Sequence, residues 1–414
     1  MIPSRNCLIV WGLLAGVVSC PSGLGTQIAA AEAPARDVDG GVRNGIDVLA
    51  RDGFKPLVGR RVGLITNHTG INRDGRSTIE LIHGAPNVDL VTLFSPEHGL
   101  KGVLDTKVAD STDPLTGLKV YSLYGKTQRP SAEMLQGIDT LVFDIQDIGA
   151  RFYTYIATMG YAMEEAARHN LRFVVLDRPN PITGTRAFGP LNDVDGKFTA
   201  YHTIPLVHGM TTGELAQMFK AERKIDVELV VVEMEGWRRN MWFDETGLLW
   251  VNPSPNMRSL TQATLYPAIG LIEACKVSVG RGTDAPFERF GAPWIDGRRL
   301  AARLNGLGLA GVRFIPFQFT PTSSKFKGQE CGGVQIVLTD RDAFDPIETG
   351  LSIVRELKDL FGGAFDIERV NRLLFGQQVL KGVQASHGPT QYTPLWNDDL
   401  HEFMRRRAAF LLYN

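Results

Sequence analysis

The chain has 414 residues, 43% of them hydrophobic and 21% charged, so it is long enough to bury a sizeable core in two or three domains. Its 44 lysine and arginine residues nearly balance 45 aspartate and glutamate residues, giving a net charge of −1, and no long basic run is present. This balance argues against nucleic acid or an anionic membrane as the main partner.

The first 42 residues are predicted to be a signal peptide followed by a flexible tether. Arg5 precedes an apolar stretch at 8–19 that is short for a membrane span and typical of a signal-peptide core. Two processing sites compete. Residues 17–20 (Val-Val-Ser-Cys) resemble a lipobox, which would leave a lipid anchor on Cys20, whereas the three alanines at 29–31 suit ordinary signal peptidase. The sequence therefore predicts export, either to the periplasm, with or without a lipid anchor, or as a secreted protein.

Residues 43–252 are predicted to form a Rossmann-like catalytic domain. Apolar, β-rich runs recur along this stretch with helical patterns between them, at 61–66, 88–94, 140–145, 172–176 and 227–232. This alternation is typical of a parallel sheet covered by helices. A helix is predicted at 154–170, and Thr211 and Glu214 have the spacing of a capping box, so we assign both to structure.

A proline-rich stretch at 252–256 is predicted to lead into a smaller α+β domain, residues 253–414, that closes a cleft against the first. Its predicted elements are a helix at 260–275, strands at 312–319 and 333–338, and helices at 346–361 and 398–412. The predicted fold class is therefore α/β, with a Rossmann-like parallel sheet domain and a second, smaller α+β domain.

Polar side chains stand at the ends of four of the predicted strands. If the strands are parallel, these side chains gather along one edge of the sheet, which is the usual ligand crevice of such folds. In chain order they are Asn67 and His68; Glu97 and His98; Asp144, Gln146 and Asp147; and Asp177, Arg178 and Asn180. Any one cluster could merely cap a helix or form a local ion pair. Four together favour a ligand site.

Several common chemistries lack their motifs. The chain has no GxSxG elbow and no CxxC or HExxH zinc motif, and its GxGxxG match at 306–311 precedes a strand instead of following one. We therefore predict neither a metal nor a cofactor. Cys275 and Cys331 could pair or stay free. Carboxylates remain the best catalysts, and glycoside hydrolysis usually needs two.

Glu97 is the best candidate for a general acid, because it lies on a turn stiffened by proline and glycine directly after an apolar run. His68, His98 and His208 also lie near turns, and each taken singly is more simply a structural histidine. In the second half, a glycine-rich loop at 278–283 places Arg281 between two glycines, where it could bind an anion bidentately. The alternative is a tight turn of the second domain.

Seven motifs in the same order resemble those of the exo-β-N-acetylmuramidase family, over the chain from about residue 45 to the C-terminus. They lie at 95–99, 143–149, 151–155, 176–181, 208–211, 253–256 and 279–283. Members of that family remove terminal N-acetylmuramic acid from the non-reducing end of peptidoglycan fragments, in a cleft between two domains. The resemblance implies that substrate and that fold for this chain.

The resemblance also implies roles for single residues. Glu97 matches the proposed catalytic glutamate of the family, with His98 beside it, and the second catalytic group is left among Asp144, Asp147 and Asp177. One of Arg151, Arg178 and Arg281 should bind the lactyl carboxylate of N-acetylmuramic acid. Tyr153 and Phe287 could stack on the sugar or belong to the core. The full predicted substrate-binding set is Asn67, His68, Gln146, Arg151, Tyr153, Asp177, Arg178, Asn180, His208, Arg281 and Thr283.

The predicted function is an exported, exo-acting glycoside hydrolase that cleaves the β-1,4 bond after a terminal N-acetylmuramic acid, with Glu97 as general acid or acid/base. The predicted partners are peptidoglycan fragments. An alternative is an exported lipoprotein that binds muropeptides without cleaving them, since binding needs the arginine and the aromatic residues but not a proton donor. An amidase or esterase is disfavoured because no nucleophile elbow or metal motif is present.

Overall fold

A computed structural model describes residues 41–102, 109–385 and 388–414. The predicted signal peptide, the tether and Cys20 lie outside the described residues. In the described part, no helix is both long enough and apolar enough to cross a membrane.

The bounds of the strands can be compared with the apolar runs predicted from the sequence. Their bounds are β1 (Arg61–Thr66), β2 (Asp89–Ser95), β3 (Ser111–Thr112), β4 (Lys119–Ser122), β5 (Thr140–Asp144), β6 (Arg172–Leu176), β7 (Phe188–Leu191), β8 (Pro205–Val207), β9 (Glu228–Val232), β10 (Arg289–Ala292), β11 (Val312–Phe319) and β12 (Cys331–Leu338). The predicted runs at 61–66, 172–176 and 312–319 match their strands end for end. The other predicted runs differ by one or two residues at an end.

The larger sheet has seven strands in the order β3-β4-β2-β1-β5-β6-β9. Every neighbouring pair in it is parallel except β3 with β4. Strand β5 is buried along its whole length, and β1 is buried after its first residue. Because helices cover both faces, such central strands read as continuous apolar runs and not as alternating ones.

The helices are α1 (Gly45–Arg51), α2 (Thr78–His83), α3 (Tyr155–Arg168), α4 (Thr212–Glu222), α5 (Leu260–Ile269), α6 (Gly297–Gly306), α7 (Pro346–Phe361), α8 (Asn371–Leu374), α9 (Gln377–Ala385), α10 (Pro389–Tyr392) and α11 (Asn397–Ala408). The capping box at α4 is confirmed, because the Thr211 side chain accepts from the Glu214 amide. The helix predicted at 260–275 ends earlier, since a 3-10 turn (Gly270–Ile272) follows α5 and packs Gly270 against Phe152.

The second domain holds a three-stranded antiparallel sheet in the order β10-β12-β11. The predicted fold class is confirmed: a larger, mostly parallel sheet with helices, and a smaller second domain. Residues 306–311 form the turn between α6 and β11, as their sequence context predicts. Cys275 and Cys331 are both buried and free.

Two hydrophobic cores flank the larger sheet. One lies under α1 and α2 and includes Ile46 and Ile82. The other lies under α3 and α4 and continues without a break from Met159 into the second domain, where it includes Leu265 and Leu351. This continuous core holds the second domain against the sheet, and the candidate site lies at their junction.

Candidate active site

The four strand ends singled out in the sequence do meet at one edge of the sheet. Strands β2, β1, β5 and β6 are consecutive neighbours, and all run in the same direction. In the register, Ile65 pairs with both Phe94 and Phe143. The polar residues that follow these strands therefore begin at the same level, as predicted.

A cavity of about 300 Å³ lies where this edge meets the second domain. This volume is at the lower end of the range typical of small-molecule sites. The predicted residues that line it are Glu97, His98, Tyr153, Arg281 and Phe287. The lining residues that sequence reasoning did not single out include Thr154, Ser254, Tyr266 and Glu273. The cavity thus takes its walls from both halves of the chain.

Glu97 is held by a strained turn and by the start of a helix. His98 and Gly99 have φ values of 70° and 74°, in the left-handed region, and the Gly99 amide donates to the Pro96 carbonyl at 3.1 Å. The Thr154 hydroxyl donates to Glu97 Oε2 at 2.6 Å. Thr154 is the N-cap residue of α3, so the carboxylate also lies at the positive end of that helix. Among the described residues, no group donates to the other carboxylate oxygen.

Aromatic rings form one side of the cavity. The rings of Tyr153 and Tyr155 have centroids 4.9 Å apart, and Tyr266 and Phe287 follow at a spacing of 4.7 Å. Burial raises the pKa of the Tyr153 hydroxyl, with the nearby Glu97 adding to the shift, so this group stays protonated and can donate a hydrogen bond. Tyr153 is 7% exposed and Phe287 1%, so both are largely core residues that show only an edge to the cavity.

Arg281 lines the cavity on the side of the second domain and is paired with Glu273, whose Oε1 lies 2.6 Å from Arg281 Nη2. The predicted glycine-rich loop carries it, with φ values of 78° at Gly280 and 80° at Gly282. Lys325 donates to the backbone carbonyl of Glu273 and so fixes the partner. Sequence reasoning missed Glu273. Its signal was available, because it is the one charged residue between 259 and 275.

Asp144, a predicted catalytic candidate, is fully buried and does not line the cavity. Its Oδ1 lies 2.5 Å from Arg178 Nε, its Oδ2 lies 2.9 Å from Arg178 Nη2, and Thr78 also donates to Oδ2. Both oxygens are therefore occupied by an internal ion pair. Asp144 and Arg178 therefore hold the strand ends together, and neither lines this cavity.

Asp177, also a candidate for the second catalytic group, is similarly enclosed. Its carboxylate accepts from Thr211, Thr212, the Gly213 amide and Tyr413, at distances from 2.7 to 3.1 Å. Burial raises its pKa to about 6, and the hydrogen bonds partly offset that rise. This arrangement fixes the N-terminus of α4 to the end of β6, and Asp177 does not line the cavity.

Asp147 is buried and does not line the cavity. Its Oδ2 accepts from the Gly149 amide at 2.7 Å and lies 3.4 Å from His208 Nε2. Its Oδ1 is buried and accepts no hydrogen bond from the described residues. Asp147 adds to the raised pKa of Tyr153, which places its charge near that ring.

Arg151 is 1% exposed and is committed to the fold. Its guanidinium donates to four backbone carbonyls, those of Pro190, Ile204, Leu373 and Leu374, at distances from 2.6 to 3.2 Å. Burial lowers its pKa to about 9, so the group is still charged at neutral pH. Of the three arginines expected to meet a carboxylate, the structure places only Arg281 on the cavity.

The remaining predicted residues support the turns around the cavity and do not line it. Each is engaged with neighbouring backbone or side chains: Asn67 with Thr69, His68 with the Asn252 carbonyl, Gln146 with the Asp147 and Pro179 carbonyls, Asn180 with the Met210 carbonyl, His208 with the Met210 amide, and Thr283 with the Gly280 carbonyl. These are local turn and loop contacts, and the substrate-binding roles of these residues stay predictions.

Comparison with known proteins bears on this site. Two family models cover most of the chain: "Exo-beta-N-acetylmuramidase NamZ, N-terminal" matches residues 62–261, and "Exo-beta-N-acetylmuramidase NamZ, C-terminal" matches residues 264–413. A relative from Bacillus subtilis (strain 168), peptidoglycan beta-N-acetylmuramidase NamZ, is 43% identical over 380 residues, which are 90% of this chain and 91% of the relative.

Two solved structures share the fold. Both are DUF1343 family proteins from Bacteroides fragilis NCTC 9343, and each match covers 90% of this chain and 99% of theirs. One has a TM-score of 0.84 at 39% identity, and the other a TM-score of 0.74 at 28% identity. With both family models matched in order across the two domains, the chain belongs to the exo-β-N-acetylmuramidase NamZ family.

Proposed function

We propose that this chain is an exo-acting glycoside hydrolase that releases terminal N-acetylmuramic acid from the non-reducing end of peptidoglycan fragments by cleaving the β-1,4 bond. The observation that carries the proposal is the Glu97 carboxyl group on the wall of a cavity sized for one sugar, with Arg281 on the same cavity. Membership of the family and the name of the Bacillus subtilis relative support it.

Glu97 acts as the general acid. Its protonated carboxyl group donates to the glycosidic oxygen as the bond from that oxygen to the anomeric carbon breaks, so the departing sugar leaves with the proton. Thr154 holds Oε2 at 2.6 Å, which leaves Oε1 to carry the proton towards the cavity. The oxygen of a water molecule then bonds to the anomeric carbon, the proton that this water loses passes to solvent, and Glu97 takes up a proton before the next cycle.

Arg281 binds the lactyl carboxylate of N-acetylmuramic acid. It is the arginine that both lines the cavity and keeps part of its side chain accessible, with 30% of it exposed. A guanidinium suits a carboxylate because its fork of N–H donors matches the two oxygens. Glu273 orients the guanidinium through its ion pair, and its own charge disfavours a carboxylate that approaches from any other side.

The test compares Glu97→Gln with the wild type on a chromogenic N-acetylmuramide. Glutamine keeps the shape of the side chain but cannot donate the proton, so we expect kcat to fall by roughly 10² to 10⁴. Glu133→Gln is the matched control, because Glu133 is an exposed turn residue that does not line the cavity. Undiminished release by the Glu97 variant refutes the role of Glu97. With muropeptides in place of the chromogenic substrate, tight binding without turnover by the wild type favours the binding-protein alternative. Release of peptide instead of free sugar from these muropeptides indicates an amidase.

We also propose that the chain is exported and carries a lipid on Cys20. The apolar stretch at 8–19 abuts the lipobox-like residues 17–20, and a peptidoglycan substrate lies outside the cytoplasmic membrane. In a bacterial host, the wild type should fractionate with membranes and Cys20→Ala should not. Identical membrane recovery of both forms excludes the anchor.

A further inference from the structure

A second depression lies on the second domain beside the candidate active site. It is an open groove of about 720 Å³, larger than the active-site cavity. Its lining includes Asn256, Arg258, Thr283, Phe317, Gln318 and Thr320. Asn256 and Thr283 belong to the motifs at 253–256 and 279–283, and Thr283 is in the predicted substrate-binding set, whereas the catalytic proposal makes no use of the groove.

The groove and the active-site cavity share a wall. In the segment at 254–258, Ser254 and Met257 line the cavity, whereas Asn256 and Arg258 line the groove. The loop after Val279 behaves in the same way, with Arg281 on the cavity and Thr283 on the groove. The groove and the cavity therefore share two chain segments, 254–258 and 281–283.

The wall is bonded and stands next to the proposed proton donor. Arg258 bridges its two segments, donating from Nη1 to the Thr283 carbonyl at 3.4 Å and from Nε to the Pro255 carbonyl at 2.9 Å. Ser254, Tyr153 and Glu97 all line the cavity. The segment at 254–258 therefore runs from the neighbourhood of the Glu97 carboxyl group directly to the groove.

The lining of the groove suits a saccharide. Gln318 lies on β11 and Thr320 directly follows that strand, and their amide and hydroxyl side chains are exposed. Phe317 offers a half-buried ring, with the Arg289 guanidinium 4.5 Å and the Phe319 ring 6.4 Å from its centroid. The lining also includes the charged residues Arg258, Asp284 and Arg289, so the groove combines hydrogen-bonding groups with an aromatic ring, and such a combination can bond the hydroxyls and pack on the apolar faces of sugars. Phe317 and Gln318 also line a further depression of about 500 Å³, so the surface extends beyond a single sugar.

We propose that this groove binds the leaving-group part of the substrate, namely the sugars that follow the terminal N-acetylmuramic acid along the glycan. The inference rests on the proposed function, because an exo-acting enzyme encloses one sugar and must leave the rest of the chain outside. The small cavity, the shared wall beside Glu97 and the longer polar groove provide that division. The groove makes affinity depend on glycan length.

Binding in the Glu97→Gln background tests the groove without turnover. The variant Gln318→Ala/Thr320→Ala is made in that background, and calorimetry measures Kd for a peptide-free peptidoglycan tetrasaccharide and for free N-acetylmuramic acid. We expect the ratio of the two Kd values to change about tenfold, with weaker tetrasaccharide binding. Gln136→Ala, an exposed glutamine before β5, is the matched control and should keep the parent ratio. Both groove side chains are exposed, and equal melting temperatures verify the fold.

An unchanged ratio in the groove variant overturns the proposal. A tenfold weaker binding of both ligands overturns it as well, because it would show that the substitutions act through the cavity. Failure of the proposed function has a different signature: sugar release by the Glu97→Gln parent, or none by the wild type, whatever the binding ratio.

Discussion

Replacing Arg281 with alanine should convert a muramidase into a poorer and less selective enzyme. Hydrogen bonds to a charged group contribute about 1.5–3 kcal/mol, and each 1.4 kcal/mol is a factor of ten. Arg281 already shares its charge with Glu273 at 2.6 Å and is 30% exposed, so the lower half of that range applies. We therefore expect kcat/KM on an N-acetylmuramide to fall by about tenfold to fiftyfold.

The assay uses two chromogenic substrates that differ only in the lactyl group, an N-acetylmuramide and an N-acetylglucosaminide. Arg281→Ala should lower kcat/KM on the N-acetylmuramide and leave kcat/KM on the N-acetylglucosaminide, which we expect to be low already, nearly constant. Arg281→Lys keeps the charge but loses the fork of donors, so its kcat/KM on the muramide should lie between those of the wild type and Arg281→Ala. Equal losses on both substrates would refute the reasoning, because they would show that Arg281 supports the cavity wall and does not bind the lactyl carboxylate.

Three further changes test other parts of the site. Thr154→Val removes the donor to Glu97 Oε2 and should lower kcat about tenfold with little change in KM; an unchanged kcat would contradict this. Arg151→Met leaves four buried carbonyls without their donor and should cost about 3 kcal/mol or more in urea unfolding, and a loss below about 1 kcal/mol would contradict it. Burial lowers the pKa of His68. Below about pH 6.5 the unfolded chain therefore binds more protons at this residue than the folded chain does. The stability that neutral His68 provides at higher pH is lost as the pH falls. The unfolding free energy of His68→Gln should therefore fall less between pH 7.5 and 5.5 than that of the wild type, and parallel curves would exclude the effect.

The sheet could be predicted from sequence because its central strands are buried on both faces. The run at 140–145 has only apolar residues between Thr140 and Asp144, so both its position and its end can be read from the sequence. Strands β3 and β4 have two and four residues, and runs that short carry no distinguishable pattern. Helix α5 ended early because Gly270 packs against Phe152, a residue of the other domain, and sequence periodicity contains no such contact.

The site could be predicted only in part, again because the sequence pattern does not contain the contacts that form in the folded chain. Glu97 and Asp144 both stand near the ends of strands of the larger sheet, yet one carboxylate lines the cavity and the other is enclosed by Arg178. Sequence patterns locate a strand end but do not say which side chain finds an internal partner. Glu273 was missed because its role depends on Arg281 and on Lys325, each brought to it only by the folded second domain.

The two halves of the polypeptide contribute different functional groups to the shared cavity. The proposed proton donor Glu97 follows a strand of the parallel sheet, whereas Arg281 and Glu273 belong to the half after the crossover. With the proposed roles, substrate preference can evolve in the C-terminal half while the proposed proton donor stays unchanged. A chimaera that joins the first half of this protein to the second half of a relative should have the cleavage chemistry of this protein and the sugar specificity of the relative.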